Sequence, residues 1–325
     1  MSSAVTSRQG IYQSGLVRRL TRWLDATPHP PLAIEISAGR VAVVRWGRTG
    51  SLDGLAVENL PAGAIVPSAV ETNIVDSATV NKAVASACER VRSRDEEVAL
   101  ILPDPVIRVF VQHFEEFPRT AEEAIPMLRW KLKKSVPFEA DETIISYMRQ
   151  APREAGVDVV TALARLRIIR EYESLAETVG LFPGVVLSSS LAAISLLEDP
   201  KATLLARISN STLTTAIVRS GVLCGYRCTD LPAQGGYLTP QMLLEEVFPV
   251  AAYYQDTWQE GIATVRVAGL GSRLPEFVQP LEDEFHCPVR SLLQTAVSEG
   301  SIKEDGRQLA DRDLDGLVGW MLQRS

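Results

Sequence analysis

The feature that most constrains the fold of this chain is a strand–turn–strand phrase that occurs twice, far apart in the sequence. Residues 32–46 read LAIEISAGRVAVVRW, and residues 204–218 read LLARISNSTLTTAIV. Shifting the chain by 172 positions superposes the two phrases and places Glu35 on Arg207. Two apolar hairpins separated by a domain-sized interval predict a fold built twice from one plan, and not a short-period repeat.

Each hairpin is followed by a mixture of strands and helices. In the first half, a helical pattern at 79–92 leads to two strands that are interrupted by Pro103 and Pro105. In the second half, a long helical pattern at 239–259 precedes the strand ATVRVAG and the helical stretch LGSRLPEFVQPLEDEF. Strands that alternate with helices in both halves predict an α/β fold with two lobes.

Length and composition exclude several classes of protein. The 325 residues suit two lobes better than one core, and the net charge of −7 disfavours general nucleic-acid binding, which needs a basic surface. No stretch approaches the roughly 18 apolar residues of a membrane span, and no signal peptide is recognised, so a cytoplasmic protein is predicted. The four cysteines and three histidines lack metal-ligand spacing, so no metal site is predicted.

The N-terminal segment 1–31 differs in character from the rest. In GLVRRLTRWLDATPHPP the apolar residues fall at helical spacing and the arginines occupy other faces, before three prolines end the pattern. A basic amphipathic helix over residues 12–25 can lie on an anionic membrane surface. The alternatives are a helix packed on the body of the protein and a tail without regular structure.

Several phrases together resemble the PilM family, the cytoplasmic component of the type IV pilus assembly platform. They are the first hairpin, LRWKLKKSVPFEADETIISY, VDVVTALARLRIIREYESLAETVGLFPGVV and VRVAGLGSRLPEFVQPLEDEFHCPV. The resemblance covers about residues 32–325 and depends on the order of the elements as much as on any one motif. It implies an α/β, two-lobed actin-like ATPase fold with a duplicated core.

The resemblance also implies a domain division. Residues 32–198 would form the first actin-like lobe, including the inserted PilM-type subdomain, and residues 199–304 the second lobe. Residues 305–325 would form a C-terminal helix that returns to the first lobe, while 1–31 lie outside the fold. The acidic stretch EGSIKEDGRQLADRDLDG, near the C-terminus, is predicted to be an exposed loop and the start of a helix.

Three turns correspond to the nucleotide-binding turns of the actin-like ATPases. There each hairpin turn wraps phosphate with backbone N–H groups, and an acid at its edge organises a hydrated magnesium ion. The corresponding residues of this chain are Glu35, Ser37, Ala38 and Gly39 in the first hairpin, Ser209 and Asn210 in the second, and Gly269 and Gly271 in the adenosine-side loop.

All three turns depart from the family pattern. PilM-like chains usually carry Asp-Ile-Gly-Ser-Ser at the first turn, where this chain has a longer acid and Ser37 in place of glycine. The second turn has Arg207 at the acid position, which cannot hold a cation and could only contact phosphate oxygens. In the third turn, Leu270 would crowd the adenosine of a bound nucleotide. Hydrolysis of ATP is therefore not expected, and no catalytic residue is assigned. Binding of ATP with Mg²⁺ is doubtful, and the three turns could equally be tight corners with a purely structural role.

The predicted function is that of a scaffold of a type IV pilus or a related secretion system, peripheral to the inner membrane. By resemblance, its partner is the cytoplasmic N-terminal tail of a PilN-like membrane protein, which binds as an extended peptide in the first lobe. Trp130, Pro137 and Phe138 are candidate partner-binding residues, although the charged run beside them is also typical of a solvated helix face.

Other functions remain as alternatives. One is a working ATPase whose nucleotide state regulates pilus assembly, and another is an actin homologue that polymerises. A dinucleotide-binding fold is disfavoured, because AGLGSRL lacks the third glycine of the G-x-G-x-x-G pattern and has no strand ending in an acid about twenty residues later.

Deleting residues 12–25 tests the amphipathic segment. Because each basic residue near an anionic surface contributes about 1 kcal/mol, the full chain should float with anionic liposomes and lose this association as salt rises. The deletion should abolish flotation and leave the unfolding temperature nearly unchanged. A loss of several degrees of stability would show instead that the segment packs on the body of the protein.

Overall fold

Three β-sheets organise the described part of the chain, and two of them share one strand order. The computed structural model of the protein describes residues 29–47, 51–139, 142–153, 155–231, 237–298 and 307–323. The segment 12–25, for which an amphipathic helix is predicted, lies outside these residues. Within the described part of the chain, no helix is both long enough and apolar enough to cross a bilayer.

The first lobe is built on a five-stranded sheet. Its strands are β1 (Leu32–Ile36), β2 (Arg40–Trp46), β3 (Leu52–Asn59), β4 (Glu97–Leu102) and β8 (Phe182–Ser188). Their order is β3-β2-β1-β4-β8, with β1 antiparallel to β2 and parallel to β4. Every residue of β1 is buried, as its run of apolar side chains predicts for a central strand. Helices α1 (Ser77–Val91) and α3 (Leu166–Glu177) pack on this sheet.

The second lobe repeats this sheet. Its strands are β9 (Thr203–Ser209), β10 (Thr212–Arg219), β11 (Val222–Asp230), β12 (Thr264–Ala268) and β13 (Val289–Ser291), and its helices are α5 (Pro240–Trp258) and α6 (Leu274–Phe285). The order β11-β10-β9-β12-β13 repeats that of the first sheet, again with an antiparallel hairpin beside a parallel neighbour. The two repeated phrases thus form equivalent central hairpins, which confirms the predicted duplicated core.

A third sheet is inserted into the first lobe. It contains β5 (Arg108–Phe114), β6 (Thr143–Arg153) and β7 (Gly156–Arg165) in the order β5-β7-β6, and it carries helix α2 (Ala121–Leu132). The inserted sheet also contacts the second lobe. The side-chain amide of Gln150 donates to the carbonyl of Leu223 at 2.8 Å and accepts from the Leu223 N–H at 2.7 Å, as a neighbouring strand would.

The C-terminal residues pack on the first lobe. The remaining helices are α4 (Ser189–Ala193), α7 (Leu292–Ser298), α8 (Arg307–Ala310) and α9 (Asp315–Leu322). Helix α9 crosses α4 so closely that a Cβ atom at Gly319 would lie 2.0 Å from the carbonyl oxygen of Ala192. Glycine is therefore required at this crossing, and the contact places the start of α9 beside β1.

Candidate functional site

The first hairpin turn joins β1 to β2. The N–H of Ser37 donates to the carbonyl of Arg40 at 2.9 Å, and the Ser37 hydroxyl donates to the same oxygen at 3.2 Å. The Arg40 guanidinium reaches across to the C-terminal segment and donates to the carbonyls of Arg312 and Asp313 at 2.7 and 2.6 Å. The side chains of Ser37 and Arg40 are therefore engaged within the protein.

The second hairpin turn joins β9 to β10 and carries uncharged polar side chains. Asn210 has a φ of 53°, in the left-handed region that asparagine tolerates better than most residues. Ser209 pairs with Thr212 at the end of the hairpin ladder. The turn thus supplies amide and hydroxyl groups to the space beside it.

The third turn follows β12 and depends on a glycine. Gly269 has a φ of 83°, and a Cβ atom there would lie 1.8 Å from the carbonyl oxygen of Ile208 on β9. The close approach of β9 requires glycine at this position, whether or not a ligand is present. The next residue, Leu270, packs on the core of the second lobe, and Gly271 has a φ of 52°.

These three turns surround one cleft of about 650 Å³ between the lobes. Of the turn residues identified from the sequence, those that line it are Glu35, Ser37, Gly39, Ser209, Asn210, Gly269 and Gly271. Ala38 lies in the first turn but is not among the lining residues. Leu270 lines the cleft as well. The structure therefore brings the predicted turns together in one place.

The floor of the cleft is occupied by the side chain of Arg207. This residue is only 5% exposed, although its guanidinium is charged. Its Nε and one terminal nitrogen donate to the two carboxylate oxygens of Asp315 at 2.6 and 2.9 Å. The other terminal nitrogen donates to Asp104 at 3.1 Å, and Ser189 Oγ accepts a further bond at 2.8 Å. Arg207 is therefore hydrogen bonded to protein carboxylates, whereas sequence reasoning considered it only for contact with phosphate oxygens.

Asp104 ties this cluster to three elements. Its carboxylate accepts hydrogen bonds from the N–H and hydroxyl of Ser190, at 2.8 and 2.5 Å, and from the Thr214 hydroxyl on β10 at 2.9 Å. Together with the bond from Arg207, these donors compensate the cost of burying the charge. Asp104 is thus bonded to both lobes.

Glu35 completes the cluster as its most loosely bonded acid. One carboxylate oxygen accepts from the Leu317 N–H and the other from the Ser189 hydroxyl, both at 3.2 Å, while the nearest nitrogen of Arg207 is 3.9 Å away. Burial raises the pKa of Glu35, and the nearby charge of Asp315 raises it further; Arg207 opposes the rise.

Ionisation elsewhere in the cluster favours the charged arginine. Burial alone would lower the pKa of Arg207, but the carboxylates of Asp315 and Asp104 raise it above its ordinary value, so the guanidinium stays protonated.

On the other side of Asp104, burial and the nearby carboxylate raise the pKa of the Cys228 thiol to about 12, and the same two causes raise the pKa of Tyr226. Both groups are therefore neutral near pH 7.

The residues present do not fit a divalent cation held between the hairpins. The acid position of the second turn is a cation, and the carboxylates of Asp104 and Asp315 are already hydrogen bonded to it. Among the described residues, no group of three or more histidine, cysteine, aspartate and glutamate side chains is arranged to hold a metal ion. The floor of the cleft is instead a buried cluster in which Arg207 is paired with protein carboxylates.

Sequence reasoning identified Glu35 and Arg207 but missed the other members of the cluster. Asp104 follows β4 next to a proline, which is typical of a turn, and Ser189 begins a short helix. Asp315 lies in the acidic stretch predicted to be exposed, and it is only 4% exposed. That part of the prediction is wrong, because the start of α9 is buried between the lobes. An arginine at a central strand position was the one available signal that buried acids must lie nearby.

The candidate partner-binding residues lie apart from this cleft, on the inserted subdomain. Trp130 on α2 is 77% exposed, and Pro137 is exposed in the following loop. Phe138 is half-buried and packs on the small core of the inserted sheet. These residues therefore form a surface on α2 and the loop that follows it.

A separate apolar groove lies between the first lobe and the inserted sheet. Its volume is about 230 Å³, and its walls are β8 on one side and β6 and β7 on the other. Ile144 on β6 lines it, and Phe182 projects from β8 with 62% of its surface exposed. Each of β6 and β8 has one neighbour in its sheet among the described strands. Trp130, Pro137 and Phe138 do not line this groove.

Comparison with solved structures identifies the fold. A chain of the PilM-PilN type IV pilus biogenesis complex aligns with a TM-score of 0.68 at 16% identity, over 91% of this chain and 98% of that one. This similarity confirms the predicted PilM-like, two-lobed actin-like fold. No family model and no curated protein matches the sequence.

Two further structures align less closely. One is a Bacteroides thetaiotaomicron protein described as having an actin-like ATPase fold and unknown function, with a TM-score of 0.47 at 9% identity over 82% of this chain and 91% of that one. The other is the cytoplasmic domain of EpsL, an inner membrane component of the type II secretion system of Vibrio cholerae, with a TM-score of 0.44 at 11% identity over 73% and 80% of the two chains.

Replacing Glu35 with glutamine should change how stability depends on pH. Because the pKa of Glu35 is higher in the folded than in the unfolded chain, the folded protein binds more protons between these two values. The free energy of unfolding therefore falls as the pH rises through that interval. Glu35→Gln lacks this fall, so the stability of the variant relative to wild type should improve with rising pH. Urea denaturation between about pH 4 and 8 measures the difference.

An exposed acid provides the control of opposite sign. The hydrogen bond from Arg273 lowers the pKa of Glu276, so this residue contributes stability that is lost as the pH falls through its folded pKa. Glu276→Gln should therefore lose stability relative to wild type as the pH rises toward the ordinary glutamate pKa of about 4.3, an interval that extends the urea measurements down to about pH 2.5, and should show no further change above it. The same direction of change in both variants would contradict the assignment for Glu35.

Proposed function

We propose that this chain is a cytoplasmic scaffold of a type IV pilus or a related secretion platform, peripheral to the inner membrane. In this proposal it binds the cytoplasmic N-terminal tail of a PilN-like membrane protein and does not hydrolyse ATP. The fold shared with a chain of the PilM-PilN complex supports the proposal, and the apolar groove beside two sheet edges carries it.

The groove fits an extended peptide in two respects. The outer edges of β6 and β8 offer backbone donors and acceptors that an added strand can pair with. The apolar side chains between them, including Ile144 and Val185, can bury alternate side chains of such a strand. Long exposed edges are otherwise a hazard for aggregation, so a bound segment would also protect them.

The cleft floor favours the scaffold over an ATPase. Hydrolysis by this fold needs a cation that neutralises phosphate and a residue that orients water. At the second turn this chain has Arg207, which is bonded to Asp315 and Asp104. The proposal therefore assigns no catalytic residue and requires no nucleotide. Contact of residues 12–25 with anionic lipid would add a second attachment to the membrane.

A peptide with the sequence of the cytoplasmic N-terminus of the PilN-like protein tests the partner. It should bind the full chain in the absence of nucleotide, because strand pairing and apolar burial need no phosphate. Ile144→Glu places a charge in the groove at a position that is 41% exposed, so the variant should fold and bind at least about tenfold more weakly. Fluorescence anisotropy of the labelled peptide measures the affinity.

Two control variants locate the binding surface. Val66→Glu adds the same charge at an aliphatic residue that is 52% exposed and does not line the groove, so binding should be unchanged. Trp130→Ala tests the exposed surface on α2. A loss of affinity in Trp130→Ala with none in Ile144→Glu would move the binding site from the groove to α2. A peptide that binds only with Mg-ATP would exclude the scaffold.

Phosphate release tests the absence of hydrolysis. With Mg-ATP, the purified protein should release phosphate at the background rate, because Arg207 stands where the acid is needed and is bonded to Asp315 and Asp104. Calorimetric titration with Mg-ATP should show weak binding or none. Sustained phosphate release that disappears in a folded Glu35→Ala variant would establish the ATPase function instead.

A further inference from the structure

The hydrogen bonds of Arg207 cross from one lobe to the other. Arg207 belongs to β9 in the second lobe, whereas Asp104 follows β4 of the first lobe and Ser189 begins α4 behind the same sheet. Asp315 belongs to α9, which packs on α4. One side chain of the second lobe is therefore bonded to three segments on the first-lobe side.

Three buried acids surround the Arg207 guanidinium. The carboxyl groups of Glu35, Asp104 and Asp315 all lie within 3.9 Å of its nitrogens, and all three are buried. Without the guanidinium, these acids would face one another without a cation. Opening the cleft would then be favourable, because water could reach the carboxylates.

We propose that Arg207 is a built-in cation that holds the two lobes in one arrangement, at the place where actin-like ATPases organise a divalent cation with nucleotide. The cleft above it keeps a volume of about 650 Å³, so Arg207 closes the floor without filling the site. The arrangement of the lobes is then a property of the chain alone and does not respond to Mg-ATP.

A second contact defines how the lobes would move without Arg207. The paired amide bonds between Gln150 and Leu223 join the inserted sheet to β11, away from the cleft floor. This contact does not involve Arg207. The apolar side chains of Leu205, Ala216 and Leu223, which pack into the core of the first lobe, do not involve it either. Loss of the arginine should therefore open the cleft about these remaining contacts while each lobe keeps its own sheet.

Hydrogen exchange of the full chain distinguishes a lock between lobes from an ordinary buried ion pair. In Arg207→Met, amide exchange should rise by about tenfold or more on both walls of the cleft, in the β1–β2 turn and at the start of α9 as well as in the β9–β10 turn. Peptides from the centre of the first sheet should stay protected. Mass spectrometry of peptic fragments measures each region.

Arg266→Met is the matched control. Arg266 is also 5% exposed, lies on the adjacent strand β12 and is paired with Asp199 at 3.0 Å. Its loss should raise exchange in the second sheet and leave the β1–β2 turn and α9 protected. If Arg207→Met raises exchange only in the second lobe, as this control does, the proposal is overturned.

A divalent cation should replace the lost arginine when an acid is restored. In Arg207→Asp, four carboxyl groups surround the vacated space, so millimolar Mg²⁺ should raise the unfolding temperature and lower the exchange of both cleft walls. In wild type, neither Mg²⁺ nor Mg-ATP should change the unfolding temperature or the exchange of the cleft walls. A variant indifferent to Mg²⁺, or a wild-type cleft whose exchange falls with Mg-ATP, would contradict the proposal.

Arg207→Lys keeps the test decisive if the other variants do not fold. Lysine retains the charge but cannot bond Asp315 through two nitrogens while also reaching Asp104. Exchange of both cleft walls should therefore rise, by less than in Arg207→Met. Wild-type protection of both walls in Arg207→Lys would show that the guanidinium contacts do not hold the lobes.

Discussion

One buried guanidinium is hydrogen bonded across the two halves of this protein. A charge in the interior is tolerated only when it is paired and its hydrogen-bonding capacity is used, and Arg207 meets both conditions through Asp315, Asp104 and Ser189. These partners come from segments far apart in the chain, so the cluster forms only when the duplicated lobes and the C-terminal helix are all in place. The cluster contains three acids and one arginine. Burial raises the pKa of Glu35, which favours its neutral form and so reduces the excess of negative charge.

The architecture could be predicted from the sequence because it follows from local patterns. Each central hairpin is a run of apolar, β-branched residues around a polar turn, and the repeated phrase indicates that the plan occurs twice. The strand–glycine–helix pattern near Gly269 depends on backbone geometry that only a few residue types provide. These signals involve residues close in sequence, so a single sequence is enough to show them.

The ion cluster and the groove could not be predicted in the same way. Asp104 and Asp315 lie 103 and 108 residues from Arg207, and no local pattern distinguishes a buried acid in an acidic stretch from an exposed one. The groove likewise combines residues of the inserted sheet with residues of β8. Trp130 offers a large apolar surface, but size alone does not show whether a side chain lies in a binding groove or on an open helix face.

Gly269 shows why a nucleotide-like loop is weak support for nucleotide binding. The carbonyl of Ile208 would lie 1.8 Å from a Cβ atom at this position, so the packing of β12 against β9 already requires glycine. The backbone of the loop is thus specified by the sheet, independently of any phosphate. The side chain at position 207, near the neighbouring turn, is under no such backbone constraint, because an acid and a base fit the same strand conformation. The side chain at position 207 therefore carries more information about function than the glycines that first indicated the fold.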